Sequence, residues 1–283
     1  MTAPSDGGFP AFPIDVPSPA RMYDYCLGGK DNFPADRAAV LHVCQQYPES
    51  LDVTRENRRF LYRVVRSLAR DLGLRQFLDL GSGLPTQANV HQVAQAFQPG
   101  ARVVYVDNDP IVLTHGRALL ADDQTTQVIA AELTEPEKIL ADATVREMID
   151  FTQPVGVLLL SVTHSIVEDA AVRHLLDTIH SAVVPGSHLA YSQLAGPDPA
   201  QVAEGNAMVA RMGIPWKVRT IPEVNAFFTG WEPVEPGLVD VKSWRPDPDQ
   251  PALAPVDEPL RPYLGLGANE TRFYEYGGLL RRV

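Results

Sequence analysis

A regular alternation of short apolar runs with helical patterns, beginning at residue 76, most constrains what this chain can fold into. The apolar runs cover residues 76–80, 101–109, 126–133, 155–162 and 187–194, and the helical patterns between them cover 86–97, 110–120, 136–151 and 168–184. Apolar runs of this length without polar alternation are typical of strands buried on both faces of a parallel sheet. We therefore predict an α/β fold with a mostly parallel sheet covered by helices on both sides.

The segments on either side of this alternation are less regular. After residue 200 the patterns predict helices at 200–212 and 222–228 and two late strands at 236–244 and 275–283. Residues 1–19 contain five prolines among small and polar residues, which predicts an extended or disordered arm. We expect a helical cap over residues 20–72 and a main domain over residues 73–283.

The strongest helical pattern of the expected cap lies at residues 52–72. It has an apolar stripe on one face and a row of six arginines on the other: Arg55, Arg58, Arg59, Arg63, Arg66 and Arg70. We interpret the arginine row as a solvated face that pairs with acidic neighbours.

Composition narrows the class of protein. The formal net charge of −11 repels phosphate backbones, so we expect no nucleic-acid partner. No apolar run approaches the roughly 20 residues that cross a bilayer, and residues 1–21 lack the pattern of a signal peptide. The two cysteines, Cys26 and Cys44, suit a reducing compartment, and no Cys/His cluster has the spacing of a metal site. We expect a cytoplasmic protein without a bound metal and without membrane association.

A glycine-rich turn follows the first predicted strand. The run is Asp79-Leu80-Gly81-Ser82-Gly83, and it precedes a helical pattern. Ligands of open α/β sheets bind at the carboxyl ends of the strands, where glycines let the backbone approach closely. The next strand ends at Asp107, which lies 24 residues after Gly83. An acid at that point can accept both ribose hydroxyls of a nucleoside, so these residues predict a nucleoside site.

Two cofactors with a nucleoside remain open at this point, NAD and S-adenosylmethionine. A dinucleotide site needs a third glycine where this chain has Thr86, and Pro85 removes one N–H from the start of the helix. Asp79 suits a ligand that carries an ammonium group, whereas it would repel a pyrophosphate. The residues favour S-adenosylmethionine, with an NAD-dependent oxidoreductase as an alternative.

Two runs of the chain resemble known methyltransferase motifs. FLDLGSGLP and VVYVDNDPIVL resemble motifs I and II of class I methyltransferases. ARMYDYCLGGKDNFPADR (20–37) and ENRRFLYRVVRSLA (56–69) are similar to the N-terminal signature of an actinobacterial family of S-adenosyl methyltransferases, long catalogued as a domain of unknown function. The resemblance runs from about residue 20 to the C-terminus. It implies a Rossmann-like class I methyltransferase fold with seven strands in the order 3-2-1-4-5-7-6, the last strand antiparallel.

The resemblance also implies roles for single residues at the strand ends. Gly81, Ser82 and Gly83 would line the methionine part of the cofactor, and Asp79 would orient this loop or the cofactor amine. Asp107 would bind the ribose and Asn108 would lie along the adenine, with Glu132 and Leu133 at the adenine edge. The family usually has aspartates around this last position, where this chain has AAELTEP. Ser161 would lie where the methyl donor faces its acceptor.

Two further sets of candidates complete the expected site. The resemblance favours a lid over the cofactor formed by Tyr25, Gly28, Gly29, Lys30 and Asp31, since a lid needs a flexible backbone and a few polar contacts. Composition alone favours a solvated turn before the helical pattern at residue 35. His164, with Thr163 beside it, is the candidate general base, because it follows the fourth predicted strand.

These residues predict a function but not its substrate. We expect methylation of a small molecule by S-adenosylmethionine, with S-adenosylhomocysteine as product. No acceptor motif of the NPPY type occurs. That absence, together with the AAEL departure, motivates a second alternative, a regulatory module that binds the cofactor without turnover. The sequence does not indicate an oligomeric state.

Overall fold

Five parallel strands form the centre of the sheet. The computed structural model describes residues 14–86, 88–119, 124–268 and 271–283. The central strands are β1 (Gln76–Leu80), β2 (Arg102–Asp107), β3 (Thr126–Ala130), β4 (Gly156–Leu160) and β5 (His188–Gly196). They pair in the order β3-β2-β1-β4-β5, and every pair is parallel. The predicted α/β fold is confirmed, and the five predicted strands each overlap an observed one.

The far edge of the sheet differs from the prediction. It contains β6 (Arg219–Thr220), β7 (Trp231–Pro233), β8 (Val239–Asp240) and β9 (Tyr274–Arg282). The sheet continues from β5 to β9 to β7, with β9 antiparallel to both, while β6 pairs with β5 and β8 pairs with β9. The described residues therefore form nine strands where seven were predicted, and the predicted sequence of neighbours is kept.

The strand predicted at 236–244 is wrong for most of its length. Only Val239–Asp240 pairs with β9, and residues 241–243 form a 3-10 turn. The Asp240 carboxylate accepts the backbone N–H of Lys242 at 3.1 Å, which stabilises the turn against an extended chain. The edge position belongs instead to β7, which the sequence patterns did not reveal.

Within the described residues, ten α-helices surround the sheet. They are α1 (Pro19–Cys26), α2 (Pro34–Gln46), α3 (Ser50–Arg66), α4 (Val90–Phe97), α5 (Pro110–Leu119), α6 (Pro136–Ala141), α7 (Ala143–Met148), α8 (Asp169–Ala182), α9 (Pro199–Arg211) and α10 (Ile221–Asn225). The helix predicted at 136–151 is two helices, because Asp142 accepts the backbone N–H of Thr144 and Val145 and caps α7. The helix predicted at 86–97 begins only at Val90, where Asn89 forms a capping box with Gln92.

The two faces of the sheet have separate cores. Leu78 and Leu80 of β1 pack with the residues of α7 and α8, whereas Phe77 packs with α3 and α4. This division follows from the alternation of side chains along a strand. Helix α3 therefore covers one face of the sheet directly, and its position brings the N-terminal helices over the strand ends.

The predicted arginine row divides into two halves. Arg59, Arg66 and Arg70 pair with acidic neighbours, as expected. The other three arginines are buried, which corrects their interpretation as a solvated face. Arg55, Arg58 and Arg63 are each less than a tenth exposed. Arg63 donates to the carbonyl oxygens of Trp244 at 2.8 Å and Val241 at 2.6 Å. These carbonyls belong to an irregular segment that lacks ladder partners, so they take their donors from a side chain.

The predicted arm over residues 1–19 lies mostly outside the described residues, since the structure describes the chain from Ile14 onward. Helix α1 begins at Pro19. The division into arm, cap and main domain stays a prediction. Among the described helices, none has the length and apolar character required to span a bilayer.

Candidate functional site

A cavity of about 530 Å³ lies at the carboxyl ends of the central strands. The residues that follow β1, β2, β3 and β4 line one side of it, and residues of α1, α2, α3 and α9 line the other. Ligands of open α/β sheets bind at this edge, at the point where the strand order reverses. In this sheet that point lies between β1 and β4.

Eight of the predicted residues lie together on the sheet side of the cavity. We refer to them as the strand-end region: Asp79, Gly81, Ser82, Gly83, Asp107, Asn108, Glu132 and Leu133. Ser161, which directly follows β4, also lines the cavity.

The glycine loop is held by backbone geometry and by Asp107. The Asp107 carboxylate accepts the N–H of Gly83 at 2.8 Å and that of Asp109 at 2.9 Å. Gly81 and Gly83 both have positive φ, +77° and +65°. A Cβ at Gly81 would lie 2.3 Å from the side chain of Val162, whereas a Cβ at Gly83 would have no atom within 4 Å. Gly81 is therefore required for packing, and Gly83 leaves the space in front of the loop open.

Asp79 and Asp107, two of the three carboxyl groups of the strand-end region, are poorly solvated. Burial raises the pKa of Asp79 to about 7, Arg58 opposes this shift and Asp107 adds to it. Burial also raises the pKa of Asp107. Paired acids of this kind favour a ligand that brings positive charge or hydroxyl donors, and they disfavour a pyrophosphate. The site therefore fits a nucleoside that carries an ammonium and a sulfonium group.

The AAEL run after the third strand, which departs from the aspartates of the family pattern, still provides a carboxylate. The Asn108 side-chain amide donates to both carboxylate oxygens of Glu132 at 3.0 Å. This contact joins the ends of β2 and β3 at the rim of the strand-end region. The AAEL run thus retains an acidic group where the family pattern has aspartates.

The predicted lid contacts require correction, because Tyr25, Gly28, Gly29, Lys30 and Asp31 do not line the cavity. The segment instead folds around the buried carboxylate of Asp24, which accepts the N–H of Asp31 at 2.9 Å. A Cβ at Gly29 would fall 1.8 Å from the same carboxylate. The polar groups of the segment are used within it, so few remain to face a ligand.

The other members of the predicted lid lie farther out or in a core. Lys30, whose side chain is 78% exposed, pairs with Asp257 at 2.9 Å. Gly28 lies against the backbone of Pro255, and Tyr25 is buried in an apolar cluster with Met22. The residues of α1 that line the cavity are Pro19, Ala20, Met22, Tyr23, Asp24 and Cys26.

The two candidates for the general base, His164 and Thr163, lie in different surroundings. His164 lines the cavity, and its ring lies 5.0 Å from that of Trp216. Burial, with a smaller effect of Arg219, lowers the pKa of His164 to about 4. Thr163 does not line the cavity, because its hydroxyl lies 2.7 Å from the Tyr191 hydroxyl and 2.8 Å from the Gln193 side-chain oxygen. Its predicted role beside His164 is therefore corrected, since Thr163 belongs to an internal network.

Glu275 is a site residue that the sequence patterns did not reveal. It lines the cavity, is 4% exposed, and its Oε1 accepts the hydroxyl of Ser161 at 2.5 Å. Burial raises the pKa of Glu275 to about 7. The available signal was a single acid among aromatic and apolar residues in FYEYGGLL. Its partner lies 114 residues earlier, so only the folded sheet brings the two together.

One part of the wall opposite the strand ends is apolar, whereas α3 contributes polar side chains such as Asn57 and Arg58. We refer to the apolar part as the apolar region, formed by Val43, Tyr47, Met208, Val209, Trp216 and Phe273. These side chains pack in a single cluster, and the rings of Tyr47 and Phe273 meet edge to face at 5.3 Å. The cavity therefore joins a charged wall to an aromatic one.

The fold and the site define a class before any comparison. A parallel sheet with a glycine loop after its first strand and an acid after its second is typical of Rossmann-like proteins that bind a nucleoside. A model of the S-adenosyl methyltransferase family matches residues 10–280. The chain belongs to the S-adenosyl methyltransferase family, as the sequence resemblance predicted.

Two solved structures agree with this assignment. A protein of Thermobifida fusca YX, described as a candidate methyltransferase, is 41% identical, with 95% of this chain and 96% of that chain covered and a TM-score of 0.81. A DUF574 family protein of Streptomyces avermitilis MA-4680 is 34% identical, with 96% and 100% covered and a TM-score of 0.81. The search of curated proteins found no match.

The family decides between the alternatives of the sequence analysis. The chain has the class I methyltransferase fold and is an S-adenosylmethionine-dependent methyltransferase. An NAD-dependent oxidoreductase and a module without turnover are not what the family indicates. The acceptor of the methyl group is the open question.

Proposed function

We propose that this enzyme transfers a methyl group from S-adenosylmethionine to an oxygen or nitrogen atom of a small, largely apolar molecule. The observation that carries the proposal is the continuity of one cavity from the strand-end region to the apolar region. Its volume of about 530 Å³ lies within the range of small-molecule sites, roughly 300–1,000 Å³.

The strand-end region would hold the cofactor. Asp107 would accept hydrogen bonds from the ribose hydroxyls, Asp79 would face the ammonium group, and Asn108 with Glu132 would border the adenine. The open space beside Gly83 leaves room for the ligand to approach the loop backbone. The cofactor supplies an electrophilic methyl group, so the protein's task is to align the acceptor atom with it.

The apolar region would hold the acceptor. Tyr47, Trp216 and Phe273 offer ring edges and faces, and Met208 adapts to irregular shapes. These side chains come from the packed core between α2 and α9 rather than from an open surface. An acidic chain of net charge −11 with such a wall suits a compact apolar acceptor better than a nucleic acid.

The enzyme would work in the cytoplasm. Cys26 and Cys44 are both free thiols in the fold, and both are buried. Burial raises the pKa of each thiol, so neither is activated for disulfide exchange. Such cysteines serve as small packing residues and suit a reducing compartment.

The test is transfer of a labelled methyl group. The purified full-length protein is incubated with methyl-labelled S-adenosylmethionine and a panel of phenols, aliphatic alcohols and amines of one or two rings. We expect labelled product and S-adenosylhomocysteine with at least one apolar member of the panel. Label that enters only added RNA or protein would overturn the small-molecule proposal.

A matched pair of variants assigns any observed transfer to the cavity. Gly83→Val fills the space beside the loop and should remove transfer. Gly213→Val changes a glycine of similar φ (+70°) that also has no atom near its Cβ position but does not line the cavity. Transfer in the second variant should persist.

A further inference from the structure

We propose that Ser161 and Glu275 form the proton-accepting pair of the methyl transfer, with Ser161 facing the acceptor and Glu275 behind it. This inference rests on the proposed function and deepens it, because it assigns a catalytic role at the same site. It also implies that the acceptor atom carries a proton, as in a hydroxyl or an amine.

The first support is position. Ser161 directly follows β4, and the next residue, Val162, contacts the glycine loop at Gly81. Strand β9 runs antiparallel to β5, so its first residues lie at the same edge of the sheet as the end of β4. Glu275 is the second residue of β9. The pair therefore stands between the strand-end region and the rest of the cavity.

The second support is the way Ser161 is held. Its backbone N–H donates to the backbone oxygen and to the hydroxyl oxygen of Ser192, both at 3.0 Å. Its φ is +54°, a conformation that non-glycine residues rarely adopt. Its hydroxyl donates to Glu275 at 2.5 Å, so its own oxygen lone pairs remain for a further donor.

The third support is the second oxygen atom of the Glu275 carboxylate, Oε2. Oε2 of Glu275 is buried and has no hydrogen-bond partner among the described residues. The titratable groups that face Glu275 are Asp240 of β8, Tyr23 of α1 and Tyr191 of β5. None of these brings a positive charge, and Asp240 raises the proton affinity further. A carboxylate without a counter-charge is suited to take up a proton rather than to form a salt bridge.

His164 is the weaker base of the two candidates. Burial and the nearby Arg219 lower its pKa to about 4, so its ring stays neutral and holds a proton poorly at neutral pH. The pKa of Glu275 is about 7, because burial raises it more than the hydrogen bond from Ser161 lowers it. The Ser192 hydroxyl donates to the Asn57 side-chain oxygen at 2.6 Å instead. A general base is most effective when its pKa lies near the working pH.

The methyl transfer forms one bond and breaks one. The acceptor's oxygen or nitrogen forms a bond to the methyl carbon while the bond from that carbon to sulfur breaks, and the sulfur keeps the electron pair. The proton lost by the acceptor passes to Oγ of Ser161 as the hydroxyl proton of Ser161 passes to Oε1 of Glu275. The carboxyl then releases its proton to solvent when the products leave.

The first experiment measures turnover with an acceptor found in the labelled panel. Glu275→Gln keeps the shape and the hydrogen bond from Ser161 but cannot accept a proton, so we expect kcat to fall about 100-fold. Ser161→Ala should cost less, because a water can join the acceptor to the carboxylate. Glu232→Gln changes an exposed carboxylate of β7 outside the cavity and should match the wild type.

The pH profile separates a base from a structural carboxylate. In the wild type kcat should rise as pH passes through about 7, because the deprotonated form of Glu275 is the active one. Glu275→Gln should lose this rise. A variant that only raised KM at unchanged kcat would indicate an anchor for a cationic acceptor and would overturn the proposal.

The second experiment needs no acceptor. Infrared difference spectra of the protein with S-adenosylhomocysteine, recorded across pH 5–9, report the protonated carboxyl directly. Because Asp79 also has a pKa of about 7, the Glu275 band is identified as the part of the carboxyl absorbance that is missing in Glu275→Gln and kept in Asp79→Asn. We expect that band to disappear around neutral pH in the wild type and to persist to higher pH in Ser161→Ala. A Glu275 carboxyl that is fully ionised at pH 5 would overturn the proposal even if methyl transfer is found. Failure of the whole panel would reject the proposed function alone, while the spectra still decide the proton affinity of the pair.

Discussion

The strand-end region and the apolar region line the same cavity, but the chain builds them in different ways. All residues of the strand-end region lie between Asp79 and Leu133, at or just after the end of a strand. Those of the apolar region come from positions between Val43 and Phe273 and meet only through packing. The sheet topology therefore determines where the cofactor binds, whereas the acceptor is selected by side chains that are distant in the sequence and meet only in the folded chain.

The largest expected effect is the loss of cofactor binding after a change in the strand-end region alone. Gly83→Val places a branched side chain in the space beside the loop, where a Cβ meets no protein atom. Calorimetric titration should show no binding of S-adenosylmethionine or S-adenosylhomocysteine, while circular dichroism shows a folded chain. Binding of normal affinity would mean that the ligand does not approach this loop.

The next effect concerns the acid after β2. Asp107→Ala removes the acceptor of the Gly83 N–H and the proposed ribose contact. We expect cofactor binding to weaken by about 1–3 kcal/mol, the usual cost of leaving a buried polar group unpaired. Asp150→Asn, an exposed acid that accepts hydrogen bonds from Thr152, is the control and should bind normally. Equal affinities in both variants would contradict the role of Asp107.

A smaller effect should fall on the apolar region only. Trp216→Ala removes an aromatic wall of the cavity, and we expect KM for the acceptor to rise about tenfold, the equivalent of roughly 1.4 kcal/mol of apolar contact. Calorimetric affinity for S-adenosylhomocysteine should stay within twofold of the wild type. Trp216→Phe should recover most of the loss. A change in cofactor affinity as large as the change in KM would show that the two regions are not independent.

The smallest expected effect is on the pH dependence of stability. The buried carboxyl groups and the buried histidine of the cavity change the free energy of unfolding in opposite directions as pH rises. Asp79 and Glu275 have pKa values raised to about 7, so the stability tied to their protonated forms is lost as pH rises from about 4 through 7. His164 has a lowered pKa, so its contribution is lost as pH falls from about 6.5 through 4. The melting temperature of the double variant Asp79→Asn, Glu275→Gln should fall less between pH 5 and 7 than that of the wild type. An identical decline would show that these carboxyls do not titrate in this range.

The sequence predicted the strand-end region well because each of its residues lies at or just after the end of an apolar strand. Strand ends of a parallel sheet meet at one edge, so Gly81 and Asp107 could be placed together from the pattern alone. The same pattern predicted the five central strands, whereas the position of Glu132 and the antiparallel final strand were implied by the family resemblance. The features predicted without the resemblance depend on local pattern and on the rules of sheet topology.

The rest could not be predicted, because it depends on where long-range contacts fall. Glu275 meets Ser161 only because β9 inserts beside β5, and no spacing in the sequence reports that contact. The GGKDNF segment looks polar and flexible, yet Asp24 uses its donors internally. Burial of Arg63 likewise depends on carbonyl groups about 180 residues later in the chain.

The buried arginines of α3 have a consequence for how relatives of this protein can exchange parts. Arg55 donates to the backbone of Ala254 and Arg63 to that of Val241 and Trp244, so α3 is fastened to a segment from the other end of the chain. A chimera that takes its first helices from one family member and residues 241–257 from another would combine arginine donors and backbone acceptors from two different proteins. Recombination is therefore expected to succeed only when both segments are inherited from the same parent, even though they lie far apart in the gene.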